Sequence, residues 1–127
     1  KLLKIFIKEY KIKRQNILGH SDIAPSRKKD PGEKFPWRKL AKKKISCWYK
    51  ISEKKIKIYR GKKLFSFEKE LFLKNLYEFG YCKIKKKSLN QNMSYLTKAF
   101  QRRFRQDLID GKIDKECLLI SKNLKKS

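Results

Sequence analysis

Leu2, Leu3, Phe6 and Tyr10 recur three to four positions apart, so residues 1 to 10 read as an amphipathic helix. The short run "NILG" (16 to 19) reads as a brief buried strand. From Asp22 to Phe35 the apolar pattern dissolves into Pro25, Asp30-Pro31-Gly32 and charged residues, which is loop chemistry. Pro36 is placed to open a short helix through Lys42, because proline is tolerated in a first helical turn. Residues 50 to 63, "KISEKKIKIYRGKK", form a basic linker. Within it Ile56 and Ile58 alternate with Lys57 and Tyr59, a spacing that admits another short strand. Three helical stripes follow: Phe65, Phe72, Leu76 and Phe79, ending at Gly80; Met93, Leu96, Phe100 and Phe104; and Ile113, Cys117, Ile120 and Leu124, with Asp114 as N-cap. Asp110-Gly111 is a turn between the last two. The pattern therefore divides the chain into an α/β piece (1-49), a linker (50-63) and a small three-helix domain (64-124). No internal repeat is visible.

A length of 127 residues holds one ordinary domain or two small ones. Thirty-seven Lys and Arg against twelve Asp and Glu leave a formal net charge of +25, which draws the protein toward anionic partners. AT-rich coding, which favours lysine over arginine, is the main reading of that excess. The lysines are spread along the chain and no nucleic-acid motif accompanies them, so a specific nucleic-acid partner is not expected. Cys47, Cys82 and Cys117 are far apart and odd in number, and no CxxC pair occurs, so they read as buried thiols. No apolar run is long enough to span a bilayer. Lys4, Lys8 and Glu9 interrupt "KLLKIFIKEY" too often for a signal-peptide core. The absence of a starting methionine leaves open a longer N-terminus that would carry any export signal.

One segment, "GHSDIAPSRKKDPGEKFPW" (19 to 37), holds the single histidine, two aspartates, all three prolines and a tryptophan. His20 follows the expected strand, and Asp30 lies beyond a loop. A neutral imidazole and a carboxylate are standard zinc ligands, and a third protein ligand with a water would complete a hydrolytic centre. Lys28 is placed to face a developing oxyanion. By spacing alone, a lone histidine near a loop is more often a structural or merely exposed residue than a ligand.

The wording of the segment goes further. It resembles the signature of the type 2 N-acetylmuramoyl-L-alanine amidases, zinc enzymes of the bacterial cell wall, which reads GHSDIAP, a small residue, RK, any residue, DPG, then F-P-W. The resemblance extends back through "YKIKRQNILGH" and forward to "LAKKKISCWY". It implies that His20 and Asp30 are zinc ligands and that Lys28 stabilises the transition state. The segments "LYEFGY", "TKAFQRRFR" and "DGKIDKEC" are similar to the peptidoglycan-binding domain that follows some of these amidases, with Cys117 where that family has threonine. Gln101 and Arg102 are the candidates to face a glycan or peptide; a solvated helix face is the other reading of them.

The resemblance also implies residues that this chain does not hold. The family's first zinc-binding histidine and its general-base glutamate lie on earlier strands. There is no second histidine here, and Glu9, Glu33, Glu53, Glu68, Glu70, Glu78 and Glu116 do not match the base position. The expectation is a truncated amidase that keeps peptidoglycan binding with an incomplete zinc site. The alternatives are an enzyme completed by an N-terminal amidase segment or partner chain, and a basic nucleic-acid-binding protein. Relatives with the C-terminal binding domain tend to be exported, so the bacterial envelope or periplasm is the expected compartment, with the cytoplasm as alternative.

Overall fold

The computed structural model describes residues 2–83 and 89–125. Among them lie seven helices: α1 (Leu2–Glu9), α2 (His20–Ile23), α3 (Trp37–Lys42), α4 (Glu53–Lys57), α5 (Ser66–Phe79), α6 (Leu89–Phe104) and α7 (Lys115–Lys125), with a 3-10 turn at Arg14–Asn16. The start of the expected first helix, Lys1, and residues 84–88 of the expected helical domain lie outside the described residues.

No strand forms among the described residues, which corrects the α/β expectation for residues 1 to 49. A strand needs a neighbour to take its amide and carbonyl groups. Here those groups close locally: Asn16 N–H donates to Lys13 O at 2.9 Å and Ile17 N–H to Arg14 O at 3.1 Å. Leu18 instead packs on Gly80, so closely that a β-carbon there would stand 3.3 Å from a Leu18 methyl. The alternation at Ile56 and Ile58 was equally deceptive. The backbone winds into α4, where two residues apart point in different directions. Ile56 is buried and Ile58 is exposed.

The core is built by the late helices. Phe72 and Leu76 of α5, Leu96, Ala99, Phe100 and Phe104 of α6, and Cys117, Leu118, Ile120 and Leu124 of α7 are all buried together. Phe72 meets Phe100 edge-on with ring centroids 5.1 Å apart, and Phe100 stacks obliquely on Phe104 at the same distance. Phe65 is not part of this stripe: it precedes α5 as its N-cap, exposed and stacked on Phe67. At the other end Gly80 (φ 125°) closes α5, its N–H returning to Leu76 O and Tyr77 O. Asp114 caps α7, its Oδ1 accepting the Cys117 N–H at 3.0 Å.

The stretch expected as a linker, 50 to 63, is packed against α7. The Lys50 amide donates to the Asn123 side-chain oxygen. Ile56 and Tyr49 enter the core. Gly61 N–H donates to Asp114 Oδ2 at 3.0 Å, and Arg60 grips Glu116 at 2.7 Å and Asp107 at 2.9 Å. By contrast, none of the α1 side chains is buried. Leu2, Ile5 and Tyr10 are more than half exposed. No helix among the described residues is long and apolar enough to cross a membrane.

Candidate functional site

The motif segment is folded by short-range bonds around a single helical turn. His20 is the first residue of α2, and no strand precedes it among the described residues. The Ser21 N–H donates to Asp30 O at 3.0 Å, which draws the two ends of the loop together. Between them Arg27 N–H and Lys28 N–H both return to Ala24 O. The Asp30–Pro31 peptide is cis.

This loop brings His20 Nδ1 to 2.7 Å from Asp30 Oδ2. Both side chains face solvent, 71% and 60% exposed. An ionised carboxylate only accepts, so Nδ1 carries the hydrogen in this contact. The hydrogen bond from His20 is the main influence holding the Asp30 carboxyl below its ordinary value, and the Lys28 charge adds to it. Lys28 itself is exposed. The three candidates of the motif therefore lie on one loop, with His20 and Asp30 in direct contact.

Two ligands of a tetrahedral zinc ion stand about 3.3 Å apart, as bond lengths of about 2.0–2.1 Å require. At 2.7 Å the pair is engaged with itself as donor and acceptor. No group of three or more His, Cys, Asp or Glu side chains placed to hold a metal occurs among the described residues. Taken alone, these residues do not fit a complete zinc centre.

Gly19 is where the loop is tightest. A β-carbon there would stand 2.5 Å from Pro31 Cδ and 3.3 Å from the Trp37 ring. Its φ of −92° suits any residue, so the objection to a side chain is space alone. Gly19→Ala is expected to push Pro31, and Asp30 with it, away from His20, at a cost of about 1–3 kcal/mol. Urea unfolding and the NMR signature of the His20–Asp30 hydrogen bond would measure both effects. A variant with both unchanged would show that the loop has slack there.

Beneath the exposed pair is a buried one that the sequence reading passed over. Asp22 Oδ2 accepts from Gly19 N–H at 2.9 Å and from Arg103 Nη1 at 3.0 Å, and both side chains are 1% exposed. The Arg103 guanidinium lies 4.0 Å from the centre of the Trp37 ring, with Phe104 and Phe79 at 5.0 and 5.3 Å. A signal for it existed: Arg103 falls three and four residues after Phe100 and Ala99, on the apolar side of its helix, where a cation must find a partner.

Gln101 and Arg102, the candidates to face glycan or peptide, are both buried. Gln101 is fully buried. Its Nε2 donates to Asp110 and to Lys112 O at 3.0 Å, and its Oε1 accepts the Gly111 N–H at 2.9 Å, so it braces the turn before α7. Arg102 is 8% exposed. Burial lowers its pKa, against the opposing charges of Glu33 and Asp22.

No family model matches the chain. It is 32% identical over 123 residues to N-acetylmuramoyl-L-alanine amidase AmiD of Escherichia coli K12, a match that takes in 97% of this chain and 44% of that protein. The solved complex of E. coli AmiD with the substrate anhydro-N-acetylmuramic acid-L-Ala-D-γ-Glu-L-Lys superposes with a TM-score of 0.81 at 32% identity, over 98% of this chain and 48% of that one. AmpDh3 of Pseudomonas aeruginosa, in complex with anhydromuramic pentapeptide, gives 0.79 at 29% identity, over 98% and 49%. The chain spans about half the length of the relatives it matches. With the motif loop and the helical part both carried by that match, the chain is a homologue of the type 2 N-acetylmuramoyl-L-alanine amidases, corresponding to the C-terminal half of those enzymes.

Proposed function

We propose that this chain is a peptidoglycan-binding protein of the bacterial envelope that carries one half of an amidase site. The observation that supports it is the exposed His20–Asp30 contact at 2.7 Å, on a loop whose wording and fold match enzymes solved with muramyl peptides. His20 and Asp30 would be the donors offered to zinc, which would supply Lewis acidity toward the muramoyl–L-alanine amide. Lys28 stands on the same loop, available to a developing oxyanion. The described residues include no third donor group, so no hydrolytic step is assigned to the chain by itself.

The test is sedimentation of the full chain with purified peptidoglycan across a range of salt. Retention that persists well above physiological ionic strength is the expected result. Equal retention on an inert polyanion, lost at moderate salt, would reduce the binding to charge attraction and overturn the reading. Steep salt dependence on DNA, without wall binding, would favour a nucleic-acid partner instead.

A second reading rests on α1. Leu2, Leu3, Ile5 and Phe6 form an exposed apolar face on it, and Ile7 lines an open cleft of about 1040 Å³ together with Arg14, Ala41, Trp48 and Lys50 among others. Such a face fits polypeptide corresponding to the other half of the relatives, which would bring the remaining zinc ligand and the base and make the assembly an active amidase.

A further inference from the structure

We infer that Arg103, acting through Asp22, is a positioning residue for His20, so that the helical part of the chain sets the geometry of the motif loop. The inference rests on the amidase reading for its functional meaning, but its structural content stands apart from it.

The path is short and consists of directional bonds. Arg103 sits in the last turn of α6 and donates to Asp22 Oδ2 at 3.0 Å. The same oxygen accepts from Gly19 N–H at 2.9 Å, the amide immediately before His20. The Asp22 carbonyl accepts from Cys82 N–H at 3.4 Å, beyond the end of α5. Within the turn, Ser21 N–H holds the Asp30 carbonyl at 3.0 Å. His20 thus lies between an amide fixed by Asp22 and a residue that fixes Asp30. Trp37, which ends the motif, closes the arrangement: one edge lies against Gly19 and its face lies under the Arg103 guanidinium.

Stability alone does not account for the pair. A buried ion pair is often replaced by apolar residues of similar volume at no net cost. Arg103 Nε and Nη2 have no hydrogen-bond acceptor, and three aromatic rings hold the cation instead. An apolar side chain would fill that cage equally well. What it would not supply is the bond that orients Asp22 toward the Gly19 amide, because a carboxylate without its cation has no reason to remain in a dry site.

The experiment uses the full isotopically labelled chain and reads amide exchange at Gly19 and the imidazole nitrogen signals of His20. Arg103→Met is expected to speed Gly19 exchange about tenfold or more and to remove the hydrogen-bond signature of His20 Nδ1. Signals from Asn75 and Ser121 in the core should stay in place. If the single variant fails to fold because Asp22 is left unpaired, the double variant Asp22→Asn/Arg103→Met carries the readout, since it buries no lone charge and keeps a side-chain oxygen for the Gly19 amide. Arg103→Lys, which keeps a cation, should restore part of the protection, whereas Arg38→Met, at a surface pair with Glu53, should leave both signals as they are. A folded Arg103→Met or double variant with unchanged Gly19 exchange and unchanged His20 signals would overturn the inference. Failure of the amidase reading would show differently, as no amide cleavage by the completed wild-type protein while these NMR signals remain.

Discussion

Joined to polypeptide corresponding to the other half of its relatives, in cis or as a second chain, the protein is expected to cleave muramoyl–L-alanine bonds that it leaves intact alone. The donors on the motif loop number two, His20 and Asp30, and a hydrolytic centre of this kind needs a third ligand and a base. A missing base alone costs a factor of roughly 10² to 10⁴. In the completed form, His20→Ala or Asp30→Ala should abolish cleavage and lower the bound zinc together. Lys28→Ala should leave zinc content unchanged and reduce turnover by roughly 10² to 10³. The assay is release of peptide from muramyl peptide, with zinc measured on the same samples. Cleavage by the chain alone, with one tightly held zinc, would show that a ligand and a base have been overlooked. Full turnover in the Lys28 variant would remove the role assigned to that side chain.

Arg105→Met should be the most destabilising single change among the charged residues, by about 3–5 kcal/mol. Arg105 is 1% exposed and reaches Asp114 at 2.6 Å, Asp110 at 3.1 Å and Glu116 at 3.4 Å, besides the Leu108 carbonyl. Removing it strands carboxylates in a dry site. Its pH dependence follows from Asp114. Burial alone would raise that carboxyl, but the Cys117 and Gly61 amides and Arg105 outweigh it, and its pKa falls below 3.8. A group depressed in the folded state contributes stability above its unfolded pKa and loses it as pH falls through the folded value. The wild-type protein should therefore keep this contribution until pH drops below about 3.8. In the variant the Asp114 pKa rises, so acid unfolding begins at higher pH. Urea titrations of both proteins at neutral and acid pH measure the difference. Equal stability at neutral pH would mean that Arg60 satisfies the cluster by itself.

The parts of the fold that were legible in the sequence are those governed by spacing along one helix. Phe72 and Leu76, Leu96 to Phe104, and Cys117 to Leu124 fall three and four apart and are buried as that period requires. Gly80 and Asp114 ended and began helices by local chemistry. The apolar pairs at 17–18 and at Ile56 and Ile58 misled because a two-residue alternation does not say whether a partner strand exists. His20 and Asp30 were found through the wording of a motif, and their contact then followed from a loop ten residues long. Asp22 and Arg103 are 81 positions apart, and nothing local links them. Gln101 reads as facing a glycan, a peptide or solvent, on resemblance and not on spacing. It lies inward because the turn at Gly111 needs a donor and an acceptor together.

The engagement of the acidic residues changes how the molecule looks from a distance. Asp22, Asp107, Asp110, Asp114 and Glu116 are held by arginines against the protein, and Asp30 by His20. Glu9, Glu33, Glu70 and Glu78 remain on the outside, far outnumbered by the lysines there. A net charge of +25 makes two such molecules repel one another at low ionic strength, while any polyanionic meshwork attracts them over roughly the 10 Å range that 0.1 M salt allows. That attraction has no preference for where on the meshwork the protein lands. It shortens the search across a surface without itself selecting a site there.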